Sequence, residues 1–133
     1  MHRIRGELGG DAAAAEYDRE LEGVELGLAL QGIGPDGHTA SLFPDSPLLE
    51  ERERRAVAAP HEDVERVTMT LTVLSGAAQV VFLVVGDGKA EAAARAFSGE
   101  PGPATPASLL RSERGETIAL LDRAAAARLD NSS

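Results

Sequence analysis

A chain of 133 residues with 43% hydrophobic residues carries enough apolar side chain for one domain around one core, which excludes a globally disordered chain. Aromatics make up only 3%, so the core must be built from Leu, Val and Ala, and the stacking platforms of single-stranded nucleic-acid binders are missing. The net charge of -9 argues against nucleic acid or an anionic membrane as the main partner, but a few local cations can still hold a small anion. Cysteine is absent, which removes disulfides and thiolate metal sites. No apolar run reaches membrane-spanning length, and residues 1–10 mix charges and glycines unlike a signal peptide, so a cytoplasmic location is expected.

Taken in chain order, residues 11–22 are rich in helix formers, with Asp11 placed to cap them. Residues 24–31 alternate in part and then turn apolar, as a strand entering a sheet does. A glycine-rich turn follows over 32–37, then a short helix over 39–43 and a solvated helix or loop over 45–55. Residues 56–59 predict a short strand, 60–65 a polar loop, 66–71 a second strand and 72–78 a short helix or turn. The unbroken apolar run in 79–85 (QVVFLVV) predicts a strand covered on both faces, as in a parallel sheet. A tight turn at 86–88 leads into a helix over 89–98, a loop over 99–106 and a helical turn over 107–111. A strand over 117–121 and a last helix over 122–129 complete the chain, with a frayed tail at 130–133. Strands alternating with helices predict an α/β sheet with crossover connections, and no repeat or long linker divides it.

The segment richest in chemistry is 32–44, GIGPDGHTASLFP. It follows a strand, and open α/β sheets bind ligands beyond the carboxyl ends of their strands. Gly32, Gly34 and Gly37 allow close approach of backbone to ligand. Amides opening a 39–43 helix would face an anion or a developing oxyanion. Asp36 and His38 supply an acid–base pair, histidine being the side-chain type suited to serve as general base near neutral pH. A plainer reading has the glycines forming only a turn and His38 capping a helix; on the residues alone the two stand about even. Gly32-x-Gly34-x-x-Gly37 also spells a dinucleotide fingerprint, against which stand Pro35, which lacks an amide donor, and the absence of a long following helix.

This segment resembles the signature of 6-phosphogluconolactonases, within the group that includes glucosamine-6-phosphate deaminases. The likeness continues through RVTMTL at 66–71, VVFLVVGDGKA at 80–90 and PASLLR at 106–111. Deaminases resemble GxDGHIAFNEP, with a Glu beyond the His; here Ala40-Ser41-Leu42-Phe43-Pro44 holds no acid, which favours the lactonase. The resemblance implies a Rossmann-like, mostly parallel sheet with flanking helices. It implies hydrolysis of 6-phospho-D-glucono-1,5-lactone to 6-phosphogluconate, with His38 activating water and Asp36 either orienting His38 or contacting substrate hydroxyls. Gly34 and Gly37 would lie against the substrate. Lys89, beside its glycine turn, would contact the phosphate; read without the resemblance it is a solvated surface cation. Arg66 is a second phosphate candidate, or equally a strand-edge ion pair with Glu62 or Glu65. His2 and His61 lie in polar stretches and read as solvated, as does the charged run at 50–55. A lactone is an activated ester, so the implied chemistry needs no metal or other cofactor, and no metal-ligand spacing is present. The alternatives are a sugar-phosphate isomerase or deaminase relative, and a non-catalytic sugar-phosphate-binding fragment or split-enzyme subunit.

The sequence also departs from the family pattern. Members begin with a strand and a GG-[ST]-TP-like phosphate loop and later carry an Asp-Glu-Arg-like segment, and neither occurs here. A Lys-Pro-Pro-like run before Arg66 is replaced by Pro60-His61-Glu62-Asp63-Val64-Glu65. Residues 1–133 therefore read as the C-terminal portion of such a domain, with an incomplete sheet that exposes an edge and an apolar face. The partners expected are a phosphorylated sugar lactone, together with a second copy or a complementary N-terminal chain; no nucleic acid and no membrane are expected.

Overall fold

The apolar run after residue 78 becomes the middle strand of a parallel sheet. In the computed structural model, which describes residues 2–129, that strand is β4 (Gln79–Val84), flanked by β1 (Leu28–Gln31) and β5 (Glu116–Leu121). Register places Leu30 beside Val81 and Leu83 beside Leu120. The inward side chains of β4, Val80, Phe82 and Val84, meet Leu42, Leu110 and a small-residue face of α3 (Ala90–Phe97) made by Ala92, Ala93 and Ala96. Small residues let α3 lie close to the sheet, and the Phe97 ring meets Phe82 edge-on at 5.3 Å. The α/β class and the parallel sheet with flanking helices are as the sequence implied.

A smaller antiparallel ladder, β2 (Ala56–Ala58) with β3 (Val67–Met69), packs against α1 (Gly10–Glu20). Tyr17 and Leu21 from α1 meet Ala56 in a second apolar cluster. Asp18 ties the two elements together by accepting from the Arg55 backbone N–H at 2.6 Å. A short α2 (Leu71–Ser75) carries the chain from β3 to β4.

Four expectations need correction. Strand β4 is covered on one face only: Phe82 is fully buried, whereas Leu83 is 53% exposed and Leu30, on the same face of β1, 62%. Leu28, Val85 and Leu120 are exposed with them, because among the described residues no element lies over that side of the sheet. Residues 39–43 form a turn, not a helix. The Thr39 hydroxyl donates to the Gly32 carbonyl at 2.9 Å, the Ser41 N–H donates to the Thr68 hydroxyl at 3.2 Å, and Ala40 takes a positive φ of 51°. These long-range bonds replace helical ones. Asp11 does not cap α1: Gly9 holds the N-cap position and Asp11 sits in the first turn. Residues 122–129 are turns, organised by the Asp122 carboxylate, which accepts from Ala125 N–H at 2.8 Å. The tail at 130–133 lies outside the described residues. No described helix is long and apolar enough to cross a membrane.

Candidate active site

Parallel strands bring their carboxyl ends to one side of the sheet, so the loops after β1 and β4 adjoin. The β1 loop folds onto itself. Gly37 N–H donates to the Gly34 carbonyl and Gly34 N–H to the His38 carbonyl, each at 2.9 Å. Gly37 takes a φ of 93°, a conformation that glycine adopts without penalty, and its carbonyl accepts from Ala107 N–H at 3.0 Å.

Inside this loop Asp36 Oδ1 lies 2.6 Å from His38 Nδ1 and accepts the His38 backbone N–H at 3.0 Å. Partial burial pushes the Asp36 carboxyl up, but the backbone N–H and ring of His38 together outweigh it, so the group lies below its ordinary value. An ionised carboxylate only accepts, so Nδ1 carries the hydrogen and the basic lone pair is left on Nε2. Gly34 makes room for this ring: a Cβ there would collide with His38 and lie 2.9 Å from Asp36 Oδ1.

Lys89 approaches from the β4 side and donates from Nζ to the Ile33 carbonyl. Its turn is anchored at Gly86, whose N–H is held by both Asp122 carboxylate oxygens at 3.1 and 3.2 Å. Those backbone donations, Ala125 first and then Gly86, hold the Asp122 carboxyl below its ordinary value. Arg95 of α3 adds a brace, donating to the Pro35 carbonyl at 3.3 Å. Together the loops border an open cleft of about 520 Å³ onto which Gly34, His38 and Lys89 face.

The chain matches the family described as glucosamine-6-phosphate isomerases/6-phosphogluconolactonase over residues 1–119. It belongs to that family. It is 40% identical to the human 6-phosphogluconolactonase, over 92% of this chain and 52% of that protein, and 39% identical to the 6-phosphogluconolactonase of Mycobacterium tuberculosis, over 93% and 55%. Among solved structures it resembles a devB protein with a TM-score of 0.84 at 33% identity, covering 97% of this chain and 58% of that one. The 6-phosphogluconolactonase of Leishmania guyanensis gives a TM-score of 0.77 at 29% identity, covering 90% and 53%. The chain thus spans about half the length of the relatives it matches.

For this member of the glucosamine-6-phosphate isomerase/6-phosphogluconolactonase family, the residues singled out by sequence divide into two groups. Gly34, Asp36, Gly37, His38 and Lys89 converge on the β1 and β4 loops. Arg66 does not line that cleft. It lies across Phe43, its guanidinium carbon 5.6 Å from the ring centre, and its Nε is buried without a hydrogen-bond partner. No ion pair joins it to Glu62 or Glu65 among the described residues. His61 also needs correcting: it is stacked on Phe43 with ring centres 3.7 Å apart and planes 7° from parallel, while Phe43 lies 4.8 Å from His38. His2 is solvated as expected and pairs with Glu20. Phe43 stood inside the recognised motif with no role assigned, and nothing local marked Arg95. Among the described residues no cluster of three or more His, Asp or Glu is arranged to hold a metal.

Proposed function

We propose that this chain supplies the general base and phosphate-binding cation for hydrolysis of 6-phospho-D-glucono-1,5-lactone to 6-phosphogluconate, a cytoplasmic step of the oxidative pentose phosphate route, and that residues 1–133 act as the C-terminal portion of such a domain. The observation that carries this reading is that His38, held by Asp36 at 2.6 Å, lines the same cleft as Lys89. Asp36 fixes the tautomer of His38, and Nε2 takes a proton from water as the oxygen attacks the lactone carbonyl. Collapse of the tetrahedral adduct breaks the ring C–O bond, and the proton held by His38 passes to the departing ring oxygen. Water is thereby added across the ester and His38 returns to its neutral form. Lys89 exchanges its Ile33 carbonyl for the substrate phosphate, a charge-assisted contact. The amides of Gly34 and Gly37 are engaged within the loop, so in this reading the two glycines shape the site, and Arg66, which does not line the cleft, stays the second phosphate candidate behind Lys89.

The lack of an acid in Ala40-Ser41-Leu42-Phe43-Pro44 favours lactone hydrolysis over deamination or isomerisation. A second reading, a sugar-phosphate-binding subunit completed by another segment, is favoured by the uncovered sheet face. The deciding experiment assays the lactone and glucosamine 6-phosphate with this chain alone and with it joined to the N-terminal half of a relative. Lactone turnover in the joined protein that falls about 10²–10⁴-fold in His38→Ala supports the reading. Lys89→Ala should raise KM for the phosphorylated lactone only, by a contact of roughly 1.5–3 kcal/mol. Turnover of glucosamine 6-phosphate instead, or no effect of either substitution, would discard it. Calorimetry with 6-phosphogluconate separates a binding subunit from an inert one.

A further inference from the structure

His61 lies at the base of a hairpin whose tip is strained. His61 and Val64 bond reciprocally, each N–H to the other's carbonyl at 3.0 Å, leaving a two-residue loop of Glu62 and Asp63. Both loop residues take positive φ, 51° and 61°, where the mirror-image turns of tight hairpins ordinarily place Asn or Gly. Strain of this kind persists only where the surroundings over-determine it. What the hairpin delivers is the His61 ring, flat against Phe43, which also lies 5.6 Å from the Arg66 guanidinium and 4.8 Å from the His38 ring, tilted by 41°. The His38 imidazole is thus bounded by Asp36 at its Nδ1, by the missing Cβ of Gly34, and by the ring of Phe43. Of these, Phe43 is a partly buried side chain on a turn, and the face-to-face stack of His61 at 3.7 Å is the shortest of its ring contacts, with Arg66 at 5.6 Å.

We propose that His61 is a positioning residue: by stacking on Phe43 it fixes the ring that sets the plane of His38, and so keeps the Nε2 lone pair directed for proton transfer. The catalytic meaning rests on the reading of His38 as general base, but the positional claim does not. An aromatic ring at residue 61 suffices, because stacking geometry and not a hydrogen bond makes the contact; the nearest carboxylate, Glu62, is 3.8 Å away.

The test is a nitrogen-detected NMR measurement of the His38 tautomer and ring shifts in the full chain, which needs no turnover. His61→Phe should leave the His38 signals close to those of the parent. His61→Ala should displace them and mix in the Nε2–H tautomer as the Asp36 bond loosens. If His61→Ala does not fold, His61→Leu keeps apolar bulk at the position without a ring to stack, leaves Phe43 in place, and should give the same displacement. His38 signals unchanged in a folded variant lacking the stack would overturn the proposal. In a form that hydrolyses the lactone, loss of the stack should lower kcat roughly ten- to a hundred-fold with KM little changed, and phenylalanine should restore it. A dead enzyme with displaced His38 signals would count against the reaction assigned, not against the role of His61.

Discussion

Gly34 and Asp36 hold His38 by different means, and each makes its own prediction. Gly34 acts by omission. Gly34→Ala drives a methyl into the imidazole, and the ring can leave only by giving up Asp36. Overpacking of this sort costs about 1–3 kcal/mol, to be read from urea midpoints, and the Nδ1–H signature of His38 should disappear with it. Asp36 acts by charge. Its pKa is depressed by folding, so its contribution is complete above the ordinary aspartate value, about 3.9, and is lost as pH falls through the lower folded value. Urea midpoints of the parent should drop between pH 7 and pH 3, and Asp36→Asn should narrow that drop. Only part of it should vanish, because Glu51, held near 2 by the backbone and side chain of Arg54, and Asp122 titrate in the same acid range. An unchanged drop in Asp36→Asn would mean the pair adds nothing to stability.

At the scale of elements the strained hairpin is the most testable piece. Left-handed backbone costs roughly 1–2 kcal/mol for an ordinary residue and less for Asp. Replacing Glu62-Asp63 by Asn-Gly should therefore raise stability by about 1 kcal/mol, measured by thermal or urea unfolding, with the His61–Phe43 stack intact. An equal or lower midpoint would show that the turn is not strained. The elements also explain what could be read in advance. Residues 79–84 and 90–97 declared themselves because an apolar run and an Ala-rich helix have strong local signals. The Gly34, Asp36 and His38 arrangement was legible because its geometry is set within five residues of chain. Residues 39–43 and 122–129 misled because Thr39, Ser41 and Asp122 bond to distant backbone or hydroxyl groups that no local pattern encodes. The stack of His61 on Phe43 was hidden for the same reason: a polar loop was read as solvated, and only pairing of β2 with β3 carries it to the site.

For the molecule as a whole, the uncovered face of the sheet dominates. Leu28 and Leu30 on β1, Leu83 on β4 and Leu120 on β5 form one apolar surface, and β1 has a free edge. An apolar run reads the same whether or not something lies over its outer face, which is why two-sided burial was expected. Exposed apolar sheet of this kind associates. Light scattering of residues 1–133 alone should give a mass above that of a monomer, and Leu28→Lys with Leu120→Lys, both clear of the cleft, should lower it without lowering the unfolding midpoint. A monomer in dilute and concentrated solution alike would show that the face is tolerated as it stands.

Asp122 has a consequence of another kind. The family match ends at residue 119, yet the carboxylate that clamps the Gly86 turn, and with it the starting point of Lys89, lies just beyond. Loosening that carboxylate would shift the turn from which Lys89 sets out without touching the lysine itself.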